Sequence, residues 1–185
     1  MSIKNRRCRA AVVASALLAA ISLTGCGADR PIAKPGDCPT SFDFKSTDAP
    51  LGKVTSLRAT VRTLALSDGP LAMREVTSAA GLRDDWDKML VATPGVKGPE
   101  LEAGLGGTKV CWKNLPRSYN DDVPQTAYYL FARGGKPLQA VRWLFPTDKE
   151  FDSSVTRSSV LTPETMLVPV KVPGVEPCLK LAEQP

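Results

Sequence analysis

Apolar and polar positions change period several times along the chain. Residues 11–21 form one continuous apolar run with no period. Further on, Leu57, Ala59 and Val61 alternate with Arg58, Thr60 and Arg62, the two-residue period of a half-buried strand. Ser67-Asp68-Gly69-Pro70 breaks the chain, and residues 71–76 follow as a short strand or the lead into a helix. Leu82, Trp86, Met89 and Leu90 then stand at i, i+4, i+7 and i+8, so the spacing predicts a main helix with Arg83, Asp84, Asp85, Asp87 and Lys88 on its polar face. Thr77 or Ser78 would cap it, Gly81 would split off a first turn, and Thr93-Pro94-Gly95 would stop it. Residues 100–105 add a further helical turn.

From Lys109 the pattern is that of strands. Val110-Cys111-Trp112 is the first, and a polar loop covers 116–124. Residues 126–133 and 136–145 flank Gly134-Gly135, which reads as a hairpin with a two-residue turn. In an uninterrupted register Phe131 faces Leu138, Tyr129 faces Ala140 and Tyr128 faces Val141, and this ribbon is expected near the centre of a sheet. Residues 147–159 are a polar loop with one helical turn near 149–153, and 166–172 form a last strand whose Pro169 suggests an edge. Residues 182–185 read as a frayed end. Together these elements describe a single α+β domain over 44–185, an antiparallel sheet of about four to six strands packed by one main helix.

The N-terminal run has a different meaning. Lys4, Arg6, Arg7 and Arg9 precede it without an acid, and it is shorter than the roughly 20 residues a spanning helix needs. A cationic start, a short apolar centre and small residues at its end are the anatomy of a secretory signal. The closing Leu23-Thr24-Gly25-Cys26 resembles the lipobox of bacterial lipoproteins. That resemblance covers residues 1–26 only. It implies cleavage between Gly25 and Cys26, a diacylglycerol thioether on the Cys26 sulfur with fatty acyl chains such as palmitate, and anchorage at the outer face of the cell membrane. Residues 1–25 would be the signal peptide. Residues 26–43, with three prolines between Pro31 and Pro39, would be the lipidated start of an extended tether.

Cutting at Cys26 alters the charge and the cysteine count. The whole chain has 24 basic and 19 acidic residues, but four of the basic ones leave with the signal, so the remainder is close to neutral. A neutral surface lacks the concentrated basic face that nucleic acid requires. The sequence contains no histidine (His 0), which excludes histidine triads, histidine metal ligands and an imidazole pH switch. Cys8 departs and Cys26 takes lipid, leaving Cys38, Cys111 and Cys178 in an oxidising compartment where disulfides persist. The expected pair is Cys111 with Cys178, which would tie down the terminal segment and add about 4 kcal/mol in the chain-entropy picture. Cys38 with Cys178 is the alternative.

No set of residues compels a catalytic reading. Asp84, Asp85 and Asp87 diverge by about 100° per residue on a helix and suit a solvated face. Asp121 and Asp122, beside Asn120, lack the Asp-x-Asp-x-Asp-Gly spacing of a calcium loop. Residues 104–109 do not match the phosphate-loop pattern, since Thr108 precedes Lys109. Ser153, Ser154, Ser158 and Ser159 have no Ser-x-x-Lys spacing. Trp112, Tyr119, Tyr128, Tyr129 and Trp143 are core residues or the lining of a binding surface.

The expectation is a membrane-anchored envelope lipoprotein serving as a non-enzymatic binding or accessory module for a protein or envelope ligand, through the sheet face or the loop 113–125. It needs no cofactor and no metal site, and its partners are the membrane, through the anchor, and an envelope component. The alternative is a histidine-independent hydrolase or cation-dependent enzyme resting on Asp121, Asp122 and the serines. Scarce Ile and Asn beside abundant Ala, Gly, Arg and Val point to a GC-rich bacterium. Cys26→Ala is expected to abolish incorporation of radiolabelled palmitate and to leave the precursor uncut. Unchanged labelling would exclude the anchor.

Overall fold

The computed structural model describes residues 39–54, 57–118, 124–147, 150–152, 155–156 and 159–182. In chain order the elements are β1 (Ser41–Asp43), α1 (Leu57–Leu64), β2 (Leu71–Ala72), α2 (Met73–Ala79), β3 (Lys88–Ala92) and α3 (Gly98–Gly104). They continue with β4 (Cys111–Lys113), β5 (Gln125–Arg133), β6 (Lys136–Phe145), β7 (Val160–Leu161), β8 (Met166–Val170) and β9 (Cys178–Leu181). The fold is mixed α and β with strands predominating. It differs from the expected single sheet with one main helix: among the described residues three sheets, ordered β6-β5-β3-β7, β2-β8-β9 and β1-β4, accompany three short helices. The β1–β4 ladder is parallel, not antiparallel.

The four-stranded sheet divides two apolar clusters. Met89 and Val91 of β3, with Tyr129 and Phe131 of β5, face α1, α2, β8 and β9 through Leu57, Val61, Met73, Val76, Leu167 and Leu179. Leu90, Ala92, Tyr128, Leu130 and Ala132 face the other way, onto Leu101 and Leu105 of α3 and onto Phe44 and Val110. Alternate side chains of one strand point to opposite faces, so both sets are buried.

This double burial explains two exchanges of identity. The run Met89-Leu90-Val91-Ala92, expected to close the main helix, is a strand between β5 and β7, because a short run apolar at every position serves a strand covered on both faces. Residues 57–62, expected as a strand, belong to α1. Leu57, Val61 and Ala65 stand at i, i+4 and i+8 and are buried, whereas Ala59 is exposed, so the helical period governs. The helix before β3 is α2, and Gly81 ends it. Its φ of +94° lies in the left-handed region, and the N–H of Leu82 reaches back to the Thr77 carbonyl at 2.9 Å.

The hairpin has its two-glycine turn, with Arg133 opposite Lys136 and Ala132 opposite Pro137. Leu138 then has no counterpart: Phe131 faces Gln139, Tyr129 faces Val141 and Tyr128 faces Arg142. This β-bulge moves the register by one from the uninterrupted pairing. Within the ribbon only β5 is central, since β6 is the last strand of its sheet. The strand at 166–170 is not the last element. It lies between β2 and β9, and Pro169 falls beyond the two-residue β2 ladder. Asp43, expected in the tether, is already in β1.

The expected Cys111–Cys178 bridge is not formed. Cys178 carries a free thiol, and the disulfide of Cys111 is made with a cysteine outside the described residues. The two residues belong to ladders on opposite sides of the central sheet, since Trp112 packs with one apolar cluster and Leu179 lies in the other. Burial, followed by the nearby Asp152 carboxylate, pushes the Cys178 thiol above its ordinary value. No helix of the described residues is long and apolar enough to cross a membrane.

One polar side chain joins the loop before α1 to β6. The buried Gln139 amide accepts from the Leu51 N–H at 2.9 Å and donates to the Gly52 carbonyl at 2.9 Å, as a neighbouring strand would. Gly52, at φ +112°, lies so close to Gly81 that a Cβ would stand 2.5 Å from the Gly81 carbonyl oxygen. Gln139→Leu would leave both backbone groups without this partner, and should lower unfolding free energy by about 2–3 kcal/mol, read as a fall in the urea midpoint at constant slope.

Candidate functional site

The bulge at Leu138 places Gln139, Val141 and Trp143 of β6 on the same face as Tyr129 of β5. The loop at 46–54, held by the Gln139 bridge, runs beside β6 and leads into α1. Between loop and strand lies a cavity of about 490 Å³, lined by Ser46, Thr47, Asp48, Ala49, Lys53, Val54, Leu57 and Arg58 on one side and by residues 139–143 on the other, with Tyr129 and Glu150.

Its apolar wall is an aromatic group. The Tyr129 and Trp143 rings stack at 5.2 Å with 9° between planes, and Phe151 meets Tyr129 edge-on at 5.6 Å. The indole Nε1 of Trp143 is buried and makes no hydrogen bond among the described residues. The Tyr129 hydroxyl donates to Glu150 Oε2 at 2.8 Å. Glu150 is only 4 % exposed, and a carboxylate so buried requires donors of this kind. Around the mouth, Lys53, Arg58 and Arg142 bring positive charge and Asp48 negative. Arg58 is oriented from α1: it and Arg62, one turn on, both pair with Glu176, and their hydrogen bonds hold that carboxyl below its usual range.

A second cavity of about 340 Å³ continues along the strand, lined by Ser41, Phe42, Asp43, Ser46, Asp48 and residues 137–140. Asp43 accepts from the Asn114 side-chain amide at 2.7 Å and from the Lys45 N–H at 2.9 Å, which keep its carboxyl below the usual value and therefore ionised at neutral pH.

Of the residues singled out from the sequence, Tyr129 and Trp143 meet here. Trp112 and Tyr128 lie in the other apolar cluster, beside Phe44. Asp85 and Asp87 secure the hairpin turn, Asp85 to Arg133 at 3.3 Å and Asp87 to the Gly134 N–H at 2.6 Å. Asp84 is exposed. Lys109 pairs with Glu102 at 2.8 Å where α3 turns towards β4. Ser159 Oγ accepts from the Thr156 N–H at 2.8 Å, a local turn. Among the described residues no group of three or more carboxylates or cysteines is placed to hold a metal ion. Gly25, Cys26, Cys38, Tyr119, Asn120, Asp121, Asp122, Ser153, Ser154 and Ser158 lie outside the described residues.

Sequence reasoning missed Gln139, Glu150 and the cations Lys53, Arg58 and Arg142. A polar Gln139 within an otherwise apolar strand face was the available signal, and the bulge concealed it. No known protein family, curated protein or solved structure matches this chain. Tyr129→Phe preserves the ring stack but removes one donor from the buried Glu150 carboxylate. It should cost about 1–3 kcal/mol in urea unfolding, and the double variant with Glu150→Leu should cost less than the two single changes added together.

Proposed function

We propose that the chain is a membrane-anchored envelope lipoprotein of the extracytoplasmic face, acting as a non-enzymatic binding module whose ligand occupies the cavity beside β6. The cavity carries the reading. Its volume of about 490 Å³ falls within the range of roughly 300–1,000 Å³ usual for ligand sites, and it combines an aromatic wall with a few oriented polar groups. Such a site binds through shape, stacking and hydrogen bonds, and needs no titrating nucleophile. The lipobox-like Leu23-Thr24-Gly25-Cys26 supports the location, with two or more acyl chains giving a stable hold where one would be marginal.

A photo-crosslinking residue placed at Ala140 in the full chain, in cells, should form an adduct detectable by mass spectrometry of the envelope fraction. The same residue at Leu66, which is 64 % exposed and away from the cavity, should not. Equal adducts at both positions, or none at either, would remove the reading.

A further inference from the structure

The outer side of β6 is a long strand edge with no strand against it among the described residues. The sheet ends there, and its opposite end is the two-residue β7. An unpaired edge offers a row of backbone donors and acceptors to another chain, and folded proteins usually blunt it with charge, proline or a bulge. Here Lys136, Pro137 and the bulged Leu138 blunt only the first end. From Gln139 to Trp143 the pairing with β5 is regular.

Those five residues all line the larger cavity, although their side chains alternate between the two faces of the sheet. Space that touches both faces in turn runs alongside the strand, not over it. The Gln139 bridge fixes the opposing loop at a distance, which keeps a groove beside the backbone. The groove is also polarised. The smaller cavity, at the 137–140 end, has Asp43 and Asp48 as its charged residues, whereas the larger one, which shares Asp48 and holds Glu150 against Tyr129, adds the three cations Lys53, Arg58 and Arg142.

We propose that this groove takes an extended peptide segment, which pairs with β6 as an added strand and lays its acidic end at Arg142 and its basic end at Asp43 and Asp48. Backbone hydrogen bonds along residues 139–143 would supply affinity, and alternate side chains would enter the Tyr129–Trp143 cavity. The stretch of regular edge suits about five residues, each advancing roughly 3.3 Å. The proposal rests on the binding reading above and names the partner's class.

The test uses the full chain in detergent and an octapeptide of alternating valine and threonine, with two lysines at one end and two glutamates at the other. Two further peptides are methylated on one or the other set of alternate backbone nitrogens. Binding should slow hydrogen exchange at alternate amides between Gln139 and Trp143. One methylated peptide should keep its affinity and the other should lose about tenfold or more, because only one set of amides faces β6. Arg142→Glu should weaken the parent peptide by about threefold to tenfold. Equal affinities for the two methylated peptides, with β6 exchange unchanged, would overturn strand addition while leaving the cavity as a ligand site. No binding up to about 1 mM would overturn the peptide proposal, whatever the crosslinking at Ala140 shows. Concentration-dependent dimerisation that protects the same amides would assign the edge to a second copy and also overturn it.

Discussion

Covering both faces of the β6-β5-β3-β7 sheet is the constraint on which the other features depend. The chain must supply two apolar layers, and it does so with short pieces: α1, α2 and the β2-β8-β9 sheet on one side, α3 and the β1–β4 ladder on the other. Among the described residues no helix exceeds eight residues, a length at which tertiary packing, not intrinsic propensity, holds a helix together. The layers close well over β3 and β5, where Met89, Ala92, Leu130 and Phe131 are almost fully buried. Along β6 they leave the groove open. The cavity lies where the covering is incomplete and polar side chains, foremost Gln139 and Glu150, take over from apolar ones.

The hairpin was legible from sequence because its turn, Gly134-Gly135, demands a local backbone that glycine meets, and α3 was legible as a helical turn stopped by Gly106-Gly107, although it begins at Gly98, two residues before the expected Glu100. The identities of 57–64 and 88–92 were not. Leu57, Ala59 and Val61 satisfy the strand period as readily as Leu57, Val61 and Ala65 satisfy the helical one, and only the burial of Ala65 with exposure of Ala59 separates them. Leu82, Trp86, Met89 and Leu90 are all buried, as their helical spacing required, yet they lie on a loop and a strand; burial was read correctly and conformation was not. The site was harder still. It joins residues from β1, the loop before α1, β5, β6 and the segment at 150, a juxtaposition that no local pattern encodes.

The disulfide illustrates the same point. Terminal position suggested that Cys178 needed a covalent tie, but β9 is secured by pairing with β8 from Leu167 to Val170 and by the hydrogen bond from Ala182 to the Met166 carbonyl. Cys111 instead lies where the chain enters its folded part: its N–H donates to the Thr40 carbonyl at 2.9 Å, and β4 runs parallel to β1. Its cross-link thus bears on the start of the described domain, beside the β1–β4 ladder.

The bulge at Leu138 gives β6 a parity. Up to Pro137 one set of positions points to the α3 side, and after Leu138 the assignment inverts. Were Leu138 paired in an uninterrupted register instead, every side chain beyond it would exchange faces. Arg142 would be driven towards the aromatic layer, while Gln139 and Trp143 would turn away from the loop and the stacked ring that they now meet. Deleting Leu138 would not do this, because Pro137 and Gln139 would then follow one another opposite Ala132 and Phe131 and the faces would be kept. An insertion or deletion further along β6, which no bulge absorbs, would flip the positions beyond it, so the groove's chemistry is more exposed to such a change of length than to most substitutions within the groove itself.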